Sequence, residues 1–290
     1  MQKSVPAILN IALLLALVSG NHVWAQDRVF SREAVLALTP SWKGERLPDG
    51  RPKVTDDILA RMKNVSIEQI WGILKSQGYT HQFEGNFQML HADEIIVGRA
   101  LTAQFMPARP DVNRLMYQTG NAEGRVGWSN SWPIDMLQKG DIYVADVFGK
   151  IVEGTLIGDN LGTAIFAKSG NGVVFDGGVR DWEGLKEIKG FNACVRGWDP
   201  SGIQEVMLTG MNTPIRVGRA TCLPGDVVLA KNGGVIFIPA DLAEQVVARS
   251  ERWLLRDQFG HQRLKEGKYA PGQIDREWTA EIKADYEQWL

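Results

Sequence analysis

GDNLGTAIFAKSGNGVVFDGGVRD, residues 158–181, sets a polar turn, a small-residue helix, a glycine break, an apolar strand and an Arg-Asp pair in one stretch. Gly158-Asp159-Asn160-Leu161 predicts a loop that enters a helix running from about Gly162 to Lys168. Gly170 and Gly172 stop it, because glycine accepts the left-handed conformation common at helix C-termini. Val173, Val174 and Phe175 then read as a short buried strand, followed by a turn at Asp176-Gly177-Gly178. The two polar ends, Gly158–Leu161 and Arg180-Asp181, can converge on one site. A helix N-terminus offers unpaired N–H groups and partial positive charge, suited to a carboxylate or phosphate. Arg180 adds a bidentate fork for the same anion. Asp181 is a hard oxygen ligand suited to Mg²⁺ or Mn²⁺. An isolated Arg-Asp pair is ordinarily a surface ion pair, and local composition alone does not lift this one above that.

Upstream, the N-terminus reads as a targeting segment. Lys3 gives a short positive region, Ile8 to Val18 is apolar apart from Asn10, and Val23-Trp24-Ala25 fits a cleavage site. The apolar run is shorter than the ~20 residues a membrane span requires. The expectation is an exported, periplasmic protein beginning at Gln26, with an uncleaved anchor as the alternative. A net charge of −2 gives no electrostatic reason to expect nucleic acid or an anionic membrane as partner. Cys194 and Cys222 could pair in an oxidising compartment. The lack of a dense disulfide framework favours two buried thiols instead. His81, His91 and His261 are scattered, and no Cys/His group has zinc spacing.

From Gln26 to Asp56, with Pro40, Pro48, Gly50 and Pro52, the chain reads as an extended arm. Ile58 to Gly78 predicts two short helices, with Ser66 as an N-cap. Phe87–Leu90 and Ile95–Phe105 carry strand signals. Met106 to Trp132 reads as loop-rich. Its Arg109, Arg114, Arg125, Trp128 and Trp132 suit either a pocket for an acidic or sugar-like molecule or aromatic packing at a subunit contact. Further strands are expected at Ile142–Val147, Ala193–Val195, Ile215–Val217, Asp226–Ala230 and Val235–Ile238, the last two joined as a hairpin. Helices are expected at Ile134–Leu137, Trp182–Ile188, Leu242–Phe259 and Glu277–Leu290. Short glycine-punctuated strands with interspersed helices argue for an α/β domain. GxGxxG before a helix, a Walker loop, GxSxG and HExxH are absent, which leaves metal-plus-anion chemistry.

With these pieces in place, Gly158–Asp181 resembles the signature of the RraA-like family. Matching parts are the Gly-acid-x-Leu loop Gly158-Asp159-Asn160-Leu161, the strand Gly172-Val173-Val174, and Asp176-Gly177-Gly178-Val179-Arg180-Asp181. Gly140-Asp141 upstream, and Pro224-Gly225-Asp226, Gly234-Val235 and Pro239 downstream, fall in family order. That family includes class II pyruvate aldolases acting on 4-hydroxy-4-methyl-2-oxoglutarate and 4-carboxy-4-hydroxy-2-oxoadipate. The resemblance implies an α/β fold of the RraA-like swivelling β/β/α type, assembled as a homotrimer or a hexamer of two trimers, with sites at subunit boundaries. It divides the chain into a signal peptide 1–25, an arm 26–56, a catalytic domain 57–260 and a tail 261–290.

Carried over by residue, the resemblance gives Gly158, Asp159, Asn160, Leu161 and Arg180 to substrate binding. Arg180 and Asp181 become catalytic, and Asp181 the ligand of a Mg²⁺ or Mn²⁺ cofactor. Asp159 would support a water on the metal, which would accept the proton. An acid from a neighbouring subunit has only Asp257 and Glu251 as weak counterparts. The family's Asp-x-Asp-Gly is replaced here by Lys231-Asn232-Gly233-Gly234. The implied function is a metal-dependent lyase that cleaves a 4-hydroxy-2-oxo acid to release pyruvate. Lys168 as a Schiff-base nucleophile is a rival mechanism. A non-catalytic organic-acid-binding or regulatory protein is the rival function. A methyltransferase is rejected, because no glycine-rich S-adenosylmethionine loop is present.

Overall fold

Runs of apolar residues too long to alternate are the mark of strands buried on both faces, and here they form the middle of a nine-stranded sheet. A computed structural model describes residues 31–290; the expected leader at 1–25 lies outside the described residues. The first elements are α1 (Arg32–Leu38), α2 (Asp56–Met62) and α3 (Ile67–Ser76). Ser31, Thr55 and Ser66 cap them, and Ser66 forms a capping box with Gln69. The stretch 26–56 is therefore not extended throughout, since Ser31 starts a helix within it.

Next come β1 (Phe83–Glu84), β2 (Gln88–Met89), β3 (Ile96–Pro107), α4 (Pro110–Ala122), α5 (Trp132–Asp135) and β4 (Asp141–Asp146). The central unit continues with α6 (Asp159–Ser169), β5 (Val173–Val179), α7 (Trp182–Glu187) and β6 (Ala193–Trp198). After it follow β7 (Val206–Met211), β8 (Ile215–Val217), β9 (Ala220–Cys222), β10 (Val227–Lys231) and β11 (Gly234–Ile238). The chain ends with α8 (Ala243–Lys265), α9 (Pro271–Ile274) and α10 (Ala280–Trp289).

Strands pair in the order β1-β11-β10-β3-β4-β5-β6-β2, with β7 added to the far half of β3. β3, β4, β5 and β6 are mutually parallel, and the remaining pairings are antiparallel. Alternation sorts the side chains of β4 between two layers. Tyr143 and Ala145 face a core with Phe105, Trp132, Ile165, Phe175 and Leu185. Ile142 and Val144 face the hairpin β8–β9 through Ile215, Val217, Ala220 and Cys222. A third core packs α2, α3 and α8 on Leu229, Ile236 and Ile238 of β10 and β11. The β10–β11 turn is Asn232-Gly233, with φ of 55° and 72°. Both residues are of the kind a two-residue hairpin needs for positive φ, so the Lys231-Asn232-Gly233-Gly234 departure is a tight turn.

Arg51 ties the stretch before α2 to the sheet. Its guanidinium is fully buried, 2.7 Å from Asp141 Oδ2 and 2.7 Å from Asp49 Oδ2. Burial works against its charge, but Asp141 and Asp49 outweigh that and hold it protonated beyond the usual range. Arg99, also buried, approaches Asp141 Oδ1 at 3.3 Å and donates to the Val54 carbonyl at 2.8 Å. This network sits at the amino end of β4.

Cys194 and Cys222 are free and buried in the same apolar layer. Burial pushes the Cys194 thiol up to about 12, and burial with Asp226 nearby raises Cys222. A disulfide reagent such as Ellman's should therefore label no thiol in the native chain and both after denaturation. A chain that releases no thiol on unfolding would carry the pair as a disulfide.

Candidate active site at the end of β5

Three residues bring the site's two polar ends together. Thr155 bridges Gly178 in parallel, Leu156 N–H donates to Gly178 O at 3.1 Å, and Arg180 N–H donates to Ile157 O at 2.9 Å. The segment 155–157 thus runs as an extra strand along the end of β5, and Gly158 arrives beside Arg180. This is the carboxyl edge of the parallel strands, where open α/β sheets commonly bind ligands. Two expectations change here. Asp159, Asn160 and Leu161 form the first turn of α6, with Gly158 as N-cap, rather than a loop before it. Asp176-Gly177-Gly178 belongs to β5 and is no turn; a register shift between Phe175 and Gly178 absorbs the glycines.

Asp181 is the N-cap of α7 and adopts a left-handed conformation, φ 54° and ψ 48°. Asp tolerates that region better than most residues. Its carbonyl accepts the Leu185 N–H at 2.9 Å, which fixes the turn. The carboxylate is thereby aimed at the head of α6. A Cβ placed on Gly158 would press on Asp181 Oδ2 and lie 3.2 Å from Arg180 Nε. A side chain at 158 would therefore push the Asp181 carboxylate, and to a lesser degree Arg180, out of place. Gly158→Ala should displace both groups and lower activity about tenfold or more, with the melting temperature little changed because the displaced Arg180 and Asp181 side chains are partly exposed and can swing outward. An alanine variant with unchanged turnover would show that this close approach is dispensable.

Arg180 and Asp181 are 46% and 38% exposed, and their Nε–Oδ2 separation is 3.7 Å. That is too long for a hydrogen bond. Neither has another ion-pair partner among the described residues. Both keep their bonding capacity for a ligand, unlike Arg51 or Arg263. In the first turn, Asn160 N–H donates to Asp159 Oδ1 at 2.7 Å and Gly162 N–H to Gly158 O at 2.9 Å. The amides of Asp159 and Leu161 remain without an acceptor four residues back, as at any helix start.

Among the described residues no three His, Cys, Asp or Glu side chains surround one point as a metal cage would require. Mg²⁺ needs no such cage; it keeps most of its water and takes one or two carboxylates. Asp181, with Asp159 directly after Gly158 in the first turn of α6, fits that mode. Glu251 and Asp257 are both engaged within their own chain. Glu251 Oε2 lies 2.6 Å from Arg61 Nη2, and that hydrogen bond holds its carboxyl below the usual range. Asp257 Oδ2 accepts from Gln69 Nε2 at 3.0 Å. Lys168 reaches the carbonyl of Asp135 at 3.1 Å from the far end of α6. Nine residues of helix, about 14 Å, separate it from Asp159.

Asp176 does not join the site. Its Oδ1 accepts from Arg196 Nε at 2.6 Å and its Oδ2 from the Gly218 N–H at 2.9 Å, anchoring the β8–β9 hairpin on the opposite face. Trp198 is the neighbour that sequence reasoning missed. It lies opposite Val179, the residue before Arg180, in the β5–β6 register and is 50% exposed. The only local signal was an isolated aromatic before Asp199-Pro200.

The sequence model of the Aldolase/RraA family, described as RraA-like, matches residues 52–237. Protein DlpA of Legionella pneumophila is 28% identical over 155 residues, covering 53% of this chain and 23% of that protein. The match thus spans about a quarter of that relative's length. Among solved structures, Streptomyces coelicolor RraAS2, described as an unusual member of the RNase ES inhibitor RraA protein family, superposes with a TM-score of 0.62. It has 23% identity, with 73% of this chain and all of that chain covered. An uncharacterized protein from Pseudomonas syringae pv. tomato gives 0.63 at 18% identity, covering 80% and 99%. These likenesses establish the fold, and with the family match over most of the sheet and the whole 158–181 unit, the chain belongs to the RraA-like family.

Proposed function

We propose that the chain is a divalent-metal-dependent lyase that cleaves a 4-hydroxy-2-oxo acid, or a related oxo acid, to release pyruvate. The observation that carries this reading is the convergence of Gly158, Arg180 and Asp181, with no other ion-pair partner for either charged side chain among the described residues. Family membership supports the aldolase class without fixing the substrate.

The substrate carboxylate would sit at the head of α6, where first-turn amides and the Arg180 fork can hold it. Asp181 would hold Mg²⁺ or Mn²⁺, and Asp159 would order water at the same corner. A bound divalent ion would supply positive charge where negative charge develops on the 2-oxo oxygen. As the C3–C4 bond breaks, its electron pair moves toward C3 and the 2-oxo group. The 4-hydroxyl loses its proton to water and becomes a carbonyl. Protonation at C3 then gives pyruvate. Holding the carboxylate at Arg180 fixes the scissile bond in place, which is the contribution the chain makes by positioning. The corner is open in the single chain, which fits a site closed by a neighbouring copy in a homotrimer or hexamer. Export to the periplasm is part of the same proposal and rests on residues 1–25 alone.

A screen of 4-hydroxy-2-oxo acids for pyruvate release, before and after exhaustive EDTA treatment, tests the reading. Activity should vanish with EDTA and return with Mg²⁺ or Mn²⁺. Full activity in EDTA, or a borohydride-trapped adduct, would contradict it. The second reading, a binding or regulatory protein, draws on the description of the Streptomyces relative as belonging to an inhibitor family. Calorimetric binding of oxaloacetate with Mg²⁺, but no turnover of any oxo acid, would favour it.

A further inference from the structure

The last long helix, α8, presents a second anion-binding surface that the reading above does not use. Arg249, Arg252, Trp253 and Arg256 are spaced at i, i+3, i+4 and i+7, which puts them on one face of the helix. These four alone line an open groove of about 300 Å³. None of the three arginines forms an ion pair or a side-chain hydrogen bond among the described residues. The acids beside the groove on the same helix are engaged, Glu251 by Arg61 and Asp257 by Gln69, while Glu244 lies more than one turn before Arg249. By contrast Arg263, two turns further on, is held by Asp285 through both Nε and Nη2 at 2.8 Å.

A guanidinium is a permanently charged, donor-only group. Three like charges around one open groove make it a favourable seat for an anion. The groove is also shaped for one. Arg256 stacks with its guanidinium carbon 3.8 Å from the Trp278 ring centroid and 5.3 Å from that of Trp253. Stacking holds the guanidinium plane and leaves its N–H edge free to donate. Trp253 is 47% exposed and offers a flat apolar wall beside the charges.

We propose that the Arg249–Arg252–Arg256 groove binds a small solute carrying two or more negative charges on phosphate- or carboxylate-type oxygens. Pyrophosphate is the probe. Calorimetric titration of the full chain at low salt should show saturable binding that weakens as salt is raised. Arg252→Gln should weaken it about tenfold, the loss of one charge-assisted contact, and Arg249→Gln with Arg252→Gln about a hundredfold. Arg252 is exposed, so melting temperatures should not change. Arg180→Gln should leave pyrophosphate binding at this groove intact, which separates the groove from the β5 site. No pyrophosphate binding at low salt, or equal binding by the double variant, would overturn the proposal. So would binding to phosphatidylglycerol vesicles without any binding of free pyrophosphate, which would make the surface a lipid contact.

Discussion

Asp181→Asn is expected to lower pyruvate release by roughly 10²–10³-fold, or about 3–4 kcal/mol of transition-state stabilisation. The substitution keeps size and shape while removing the charge that would hold a divalent ion. It should also abolish Mg²⁺ or Mn²⁺ binding measured by calorimetry in the absence of substrate. Folding should be unaffected, because the side chain is more than a third exposed and its one ion-pair contact among the described residues, Arg180, is 3.7 Å away. The left-handed backbone at 181 remains available to asparagine, so the α7 cap persists. A variant that keeps full turnover, or that loses turnover yet binds metal as before, would remove Asp181 from the role of ligand.

The chemistry-bearing residues of this corner were legible in the sequence, whereas their local structure was only partly so. Gly158, Arg180 and Asp181 stand out through the resemblance of the Gly-Asp-x-Leu and Val-Arg-Asp blocks to the RraA-like signature, because glycine and charge recur throughout 158–181 and composition alone does not single them out. What joins them was hidden: the ladder between residues 155–157 and β5 involves backbone alone and leaves no side-chain pattern. Asp176-Gly177-Gly178 reads as a turn on local grounds, but Asp176 is held by Arg196 and Gly218 from distant segments, which keeps the strand going. α4 was missed for a similar reason. Pro110 looks like loop punctuation, yet proline is well placed at the first turn of a helix. Gly120 looks like a break, yet it lies under the ring of buried Trp132, packing that no window of neighbouring residues could reveal. The hairpin at Asn232-Gly233 and the capped helices α2 and α3 were readable because their signals are local.

The largest loss of stability is expected from Asp141→Ala. Asp141 accepts from Arg51 Nη2 at 2.7 Å, from Arg99 Nε at 3.3 Å and from the Gln138 N–H at 2.8 Å, with no solvent exposure. Its removal leaves two buried guanidiniums short of counter-charge, a change that typically costs about 3–5 kcal/mol. For a domain of this size that is a fall of about 6–20 °C in melting temperature. Arg51→Met should cost less. It leaves Asp141 still paired with Arg99 and bonded to Gln138, and methionine fills much of the vacated volume. The order Asp141→Ala below Arg51→Met, read by thermal melting, is thus a sharper test than either value. Turnover per folded molecule should survive both. Asp141 opens β4, whereas the Gly158–Arg180–Asp181 corner lies past the carboxyl ends, about 20 Å away along a six-residue strand. If Arg51→Met proved the more damaging, the network would be held by the arginine's contacts with Asp49 and the Ala100 carbonyl rather than by the shared carboxylate.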